Sequence, residues 1–120
     1  MRIVSLPRLD ITAFGSTGVA MDFLPTLGAA DGARVHVAHL EAGGTIGRHP
    51  APVRQAFAVV AGECRVASGD AEPRLARAGQ AVVWEPGEDH QTWAVTDVVA
   101  VIVETPGDVL LDEHFADVEA

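Results

Sequence analysis

Apolar residues in this chain alternate with polar ones far more often than they recur at helical spacing. Over residues 34–41, RVHVAHLE, Val35 and Val37 share one parity, and His36, Ala38 and Leu40 share the other. A period of two lays successive side chains on opposite faces of a strand. Strands are predicted in the same way at 56–61 (AFAVVA), 63–68 (ECRVAS), 80–84 and 91–95, with a short one at 74–77. Residues 97–104, DVVAVIVE, are nearly continuously apolar, which predicts a strand buried on both faces. Residues 1–14 read as one or two short strands broken at Pro7, and 19–27 as a strand weakened at its end by Pro25. Turn chemistry separates these segments: GSTG at 15–18, a hairpin signal at Asp31-Gly32, Ser68-Gly69-Asp70, and Pro86-Gly87. Only the tail breaks the pattern. Leu110, Leu111, His114, Phe115 and Val118 fall near one face of a helix, which predicts a short C-terminal helix. About nine to eleven short strands with turns between them mark an all-β sandwich or barrel.

Composition narrows this picture. The chain has 120 residues, enough for one domain over 1–120 with a single core. Hydrophobic residues make up 48% and aromatics only 5%, so the core must be filled by Val, Leu, Ile and Ala. The formal net charge of -9 opposes nucleic-acid binding, which needs a basic footprint. It equally opposes adhesion to anionic membranes. Cys64 is the one cysteine, which rules out an intrachain disulfide, and it reads as a small buried hydrophobe. No stretch reaches the ~18 apolar residues of a membrane span, and Pro7, Arg8 and Asp10 interrupt any signal-peptide core. A cytoplasmic protein is expected.

Two stretches carry the candidate chemistry. The first, 43–62, reads GGTIGRHPAPVRQAFAVVAG; the second, 79–90, reads GQAVVWEPGEDH. Each is a strand and a turn that presents a histidine. If His49 points inward and the register holds through Pro50 and Pro52, then Ala51 and Gln55 point inward too. His90 reaches the same interior if the two segments lie side by side. Two imidazoles and an amide oxygen can hold a divalent first-row metal. The plainer reading is that a histidine beside a proline-rich turn is a hydrogen-bonded rim residue. Spacing alone does not link His49 to His90. Competing motifs fail: GSTG is not a nucleophile elbow, and GGTIG lacks the lysine and the helix of a phosphate loop.

The same two stretches resemble the paired motifs of the cupin superfamily, G-x5-H-x-H-x3-E-x6-G and G-x5-P-x-G-x2-H-x3-N. Gly43, His49, Ala51, Gln55 and Gly62 fall on the first spacing; Gly79, Glu85, Gly87, His90 and Ala94 fall on the second. The form HPxPxxQ followed by WExGExH is similar to small single-domain bacterial cupins of actinobacterial type. The motif is degenerate here. Ala51 stands at the second histidine, Gln55 at the glutamate, Glu85 at the proline and Ala94 at the asparagine.

The resemblance implies a double-stranded β-helix, or jelly-roll barrel, assembled as a homodimer. It implies that His49, Gln55 and His90 hold Mn, Fe, Ni or Zn and that the barrel takes a small organic ligand or substrate. The alternative is a non-catalytic binding cupin with a vestigial, metal-free site, which the loss of the glutamate and of one histidine favours. Further candidates for the pocket are Ala51, Trp84 and Trp93, with Glu88 in the turn before His90. Either His36 or His39 also faces inward, and His39 is taken as the pocket residue although alternation alone leaves the parity open.

Overall fold

A computed structural model of the chain describes residues 2, 5, 8–23 and 32–118. The strand expected over residues 1–7, the end of the 19–27 strand and the Asp31-Gly32 hairpin lie wholly or partly outside the described residues. Nine strands are found among the described residues: β1 (Arg8–Asp10), β2 (Thr17–Phe23), β3 (Arg34–Pro50), β4 (Arg54–Ala61), β5 (Glu63–Ser68), β6 (Arg74–Arg77), β7 (Ala81–Trp84), β8 (Asp89–Ala94) and β9 (Val98–Thr105). A 3-10 turn, η1 (Ala13–Gly15), links the first two.

The sheet runs β6-β5-β8-β3-β9-β4-β7, with β1 and β2 added on the other edge of β3. Every pairing is antiparallel. β3 joins the two halves. Its first part pairs with β9, from Arg34 opposite Glu104 to Leu40 opposite Val98. Its second part pairs with β8, from Thr45 opposite Trp93 to Pro50 opposite Asp89. The glycine-rich segment at 43–47 is therefore the middle of a single strand of 17 residues.

Alternation explains which side chains fill the interior. On β4, Gln55, Phe57 and Val59 are buried, and on β9, Val98, Ala100 and Ile102. Full burial of a side chain such as Phe57, which is 1% exposed, contributes about 1.5–3 kcal/mol. The β9 run is buried on one face and only half-buried on the other, so the two-sided burial expected from its composition is not reached. Continuous apolarity cannot distinguish a covered outer face from a partly open one.

The C-terminal helix is also absent. Residues 106–118 are irregular, with one turn in which the Phe115 N–H donates to the Asp112 carbonyl at 3.0 Å. Leu110, Leu111, Phe115 and Val118 are exposed. An amphipathic stripe this short needs a surface to pack on, and an isolated helix below about 12 residues is marginal.

The turn η1 is held tightly against β3. Phe14 sits at φ 60, in the left-handed region, where a side chain costs energy. The Gly47 N–H donates to the buried Ser16 Oγ at 3.1 Å. A Cβ at Gly47 would overlap the carbonyl oxygen of Phe14. At Gly62, with φ +87, a Cβ would likewise overlap the Asp97 carbonyl oxygen, so both glycines serve close approach, and Gly62 serves turning as well.

Two outcomes are expected. Gly47→Ala has to displace backbone, and overpacking of that kind costs about 1–3 kcal/mol, read as a lower urea midpoint with unchanged m-value. Cys64 is fully buried, and burial pushes its thiol up to about 11. It is expected to react with a thiol reagent only as fast as the protein unfolds, and promptly in denaturant; fast labelling of the native protein would contradict this.

Candidate site at the barrel mouth

The register sets the end of β3 beside the start of β8, and the start of β3 in a row with the end of β9, the start of β4 and the end of β7; the contact of Trp84 with His90 brings both groups to one end of the barrel. His49 and His90 face each other directly across the β3–β8 ladder. Their ring centroids are 4.4 Å apart with the planes tilted by 55°. Forty-one residues of sequence separate them, and antiparallel pairing removes that distance.

Each imidazole is oriented by a carbonyl two residues before it. His49 Nδ1 lies 2.7 Å from the Gly47 oxygen, and His90 Nδ1 lies 3.1 Å from the Glu88 oxygen. A carbonyl only accepts, so in both rings Nδ1 carries the proton and donates it. In the neutral ring Nε2 then keeps its lone pair, and neither Nε2 has a hydrogen-bond partner among the described residues. Burial holds the His90 imidazole below the ordinary histidine range, and His49 nearby pushes the same way. The neutral ring is the form that can accept a ligand or bind a cation.

Aromatic rings flank the pair. Trp84 stacks on His90 at 4.4 Å, and Phe14 lies almost parallel on His49 at 4.2 Å and 8°. Trp84 is buried and in turn meets Phe57 edge-on. The strained turn at Phe14 thus serves to seat a ring on a site histidine. Nothing in the sequence pointed to Phe14, since the contact crosses 35 positions and rests on the close approach at Gly47.

Gln55 is 7% exposed and pairs with Trp84 on one side and Glu104 on the other. Ala51 is buried in the core, and its backbone clasps the second motif: its N–H donates to the Glu88 carbonyl at 3.0 Å, and its carbonyl accepts from the Gly87 N–H at 2.7 Å. The position lacks the side chain of a ligand but still ties the two motifs together.

Three expected pocket residues are turned away or otherwise engaged. His39 alternates away from buried Ala38 and Leu40 and bonds Asp22 Oδ2 at 2.8 Å, so His36, not His39, shares the inward parity. The Arg8 guanidinium, and then His39, hold the Asp22 carboxyl well below the usual range. Trp93 falls on the face opposite buried His90, Thr92 and Ala94. Glu88 is used by its own turn, where one carboxylate oxygen accepts from the Glu85 N–H at 2.9 Å and the other from the Ser68 hydroxyl. Arg48 and Arg54, which bracket His49, are likewise engaged, Arg48 with the Gly69 carbonyl and Arg54 with Glu85 and the Gly107 carbonyl.

Two inward groups were left open or overlooked in the sequence. His36 meets Phe23 edge-on at 5.0 Å, and its Nδ1 is buried without a partner. Glu104 continues the inward row of β9; its neighbours read as a plain apolar strand, which hid it.

The donor chemistry suits a metal in part. Two free Nε2 atoms and an amide oxygen fit a divalent first-row ion. Among the described residues, no third histidine, cysteine or carboxylate ligand atom converges with the histidine pair. Asp112, Glu113 and His114 do converge, but all three are exposed on the tail, where acidic groups are ordinarily just solvated. A separate concavity of about 780 Å³ around Arg8, His39 and Asp97 shares no residue with the mouth. Among the described residues no helix is long and apolar enough to cross a membrane.

Solved structures share this architecture. The polyketide cyclase RemF from Streptomyces resistomycificus superposes with a TM-score of 0.75 at 16% identity, over 94% of this chain and 88% of that one. A cupin-like protein from Thermotoga maritima gives 0.70 at 21% identity, over 85% and 75%. KdgF from Halomonas sp. gives 0.69 at 18%, over 85% and 89%. At these identities the likeness shows the fold alone. A search of curated proteins finds no match. The family model for the cupin domain matches residues 36–106, from the first half of β3 to just past β9. With both motif spacings inside that match and the histidine pair at the mouth of the barrel, the chain belongs to the cupin family.

Proposed function

We propose that this protein binds a small organic molecule at the barrel mouth and holds a divalent transition metal there through His49, Gln55 and His90. One observation carries the reading. Two histidines are paired across a ladder, and backbone carbonyls fix both in the tautomer that leaves Nε2 free. A histidine meant only for packing does not need that shared orientation. Metal-ligating histidines use their other nitrogen in this way to fix the ring. A bound ion would supply Lewis acidity or an oxygen-activating centre. The chain itself would bind the ligand, orient it between the Trp84 and Phe14 sides of the mouth and exclude water from a largely buried floor.

The runner-up is a binding protein with a metal-free mouth. Ala51 and the all-neutral donor set favour it, because a carboxylate that would offset the cation is missing from position 55. One neighbour of the same fold is a polyketide cyclase, so the barrel is compatible with catalysis. That supports a search among small organic substrates without selecting one.

Untagged protein is expected to carry near-stoichiometric Mn, Fe, Ni or Zn by elemental analysis, and His49→Ala and His90→Ala are each expected to lose it. Wild-type protein that stays metal-free after growth with all four ions would leave the metal-free reading. A second expectation concerns the apo protein. The folded His90 binds its proton less readily than the unfolded chain, whose histidine titrates at about 6.5. The unfolded state therefore takes up more protons as pH falls below that value, and stability falls with it. Between pH 7.5 and 5, wild-type apo protein is expected to lose more stability than His90→Gln in urea unfolding. Equal losses would show that His90 does not contribute.

A further inference from the structure

The amide at position 55 removes a negative charge from the donor set, but a carboxylate stands one strand away. β4 and β9 pair so that Gln55 lies directly opposite Glu104. Glu104 falls on the inward row that contains Val98, Ala100 and Ile102, and it is half-buried. Gln55 Nε2 donates to Glu104 Oε1 at 3.5 Å, a long bond. Arg34 sits opposite Glu104 on β3, yet among the described residues Glu104 makes no ion pair. Its charge is left unneutralised at the mouth.

The chemistry of the pair has one sense. An ionised carboxylate only accepts hydrogen bonds, so the amide must turn its NH2 toward Glu104. The Gln55 carbonyl oxygen then faces away from β9. Without Glu104, the two ends of the amide would be nearly equivalent, and the nitrogen could face the lumen as readily as the oxygen. A nitrogen there could not ligate.

We propose that Glu104 is a positioning residue for the mouth: it aims the Gln55 carbonyl oxygen into the lumen and returns, one side chain removed, the negative charge that position 55 lacks. The proposal rests on the metal-binding reading. A divalent ion held by three neutral donors in a poorly solvated site is stabilised by a nearby carboxylate, and partners that orient a ligand are worth about 10–100-fold in metal affinity. The lost carboxylate of the motif and the acidic residue on β9 are then one feature, not two.

The test uses the whole untagged apo protein, Zn²⁺ alone as probe, and competition against a chromophoric chelator. Glu104→Gln keeps the shape and removes the charge; it is expected to weaken Zn²⁺ binding about tenfold or more. Gln55→Glu alone sets two carboxylates directly opposite each other, which destabilises the pair. The exchange Gln55→Glu with Glu104→Gln rebuilds a carboxylate–amide pair in reverse, and it is expected to bind Zn²⁺ at least as tightly as wild type. That rescue separates positioning from a merely structural role, and far-UV circular dichroism reports whether each variant folds. Glu104→Gln binding within twofold of wild type, or an exchange variant no tighter than Glu104→Gln, overturns the role of Glu104 alone. Wild type that takes up no Zn²⁺ overturns the metal reading and this proposal with it.

Discussion

The mouth of this barrel depends on one strand being shared by the two halves of the sheet. β3 is hydrogen-bonded to β9 over its first half and to β8 over its second. That brings the start of the strand, with His36, and its end, with His49, to the same opening, although 13 positions separate them. A straight strand of this length would carry them to opposite ends. The bend is possible because Gly43 adopts φ +83 and the glycines at 44 and 47 leave room for β2 and η1 to press against the backbone. If that approach is lost, the ring of Phe14 leaves His49 and the histidine ladder loses its outer support.

The site is assembled mainly from main-chain contacts. The Glu88 carbonyl accepts from both Ala51 N–H and His90 Nδ1, and the Gly47 carbonyl accepts from His49 Nδ1. Backbone positions are set by the ladder and the turns, so the imidazoles inherit the rigidity of the sheet. It also explains how position 51 can carry alanine. The backbone clasp to the second motif survives without a side-chain ligand, so the barrel geometry outlasts the loss of a donor. The surviving donors are neutral, and the electrostatics of the mouth then turn on groups outside the motif, chiefly Glu104 and the unpartnered His36.

Aromatic stacking and burial act together on His90. Trp84 and His49 both pack against it, so the ring is desolvated and disfavours its charged form. A neutral imidazole with a fixed tautomer is ready to receive a cation or a hydrogen-bond donor from a ligand. The surface outside the mouth serves stability instead. Arg8, Asp22 and His39 form a charge-assisted cluster on the outer face, and Arg54 ties Glu85 to the chain beyond β9.

The alternation of apolar residues and the spacing of glycines and histidines determined much by themselves. The β-rich barrel, the positions of most strands, and His49, Gln55 and His90 as the residues to watch are legible because a strand's period of two is local. Local patterns could not say whether His36 or His39 faces inward, because both parities of β3 carry apolar neighbours. They also promised a C-terminal helix that no packing surface supports, and they gave to the pocket Trp93, which falls on the opposite face of β8. The pairing of His49 with His90, the ring of Phe14 against it and the placement of Glu104 opposite Gln55 were decided only by tertiary structure. Each depends on register between strands distant in sequence, and register is set by the whole sheet and not by any segment of it.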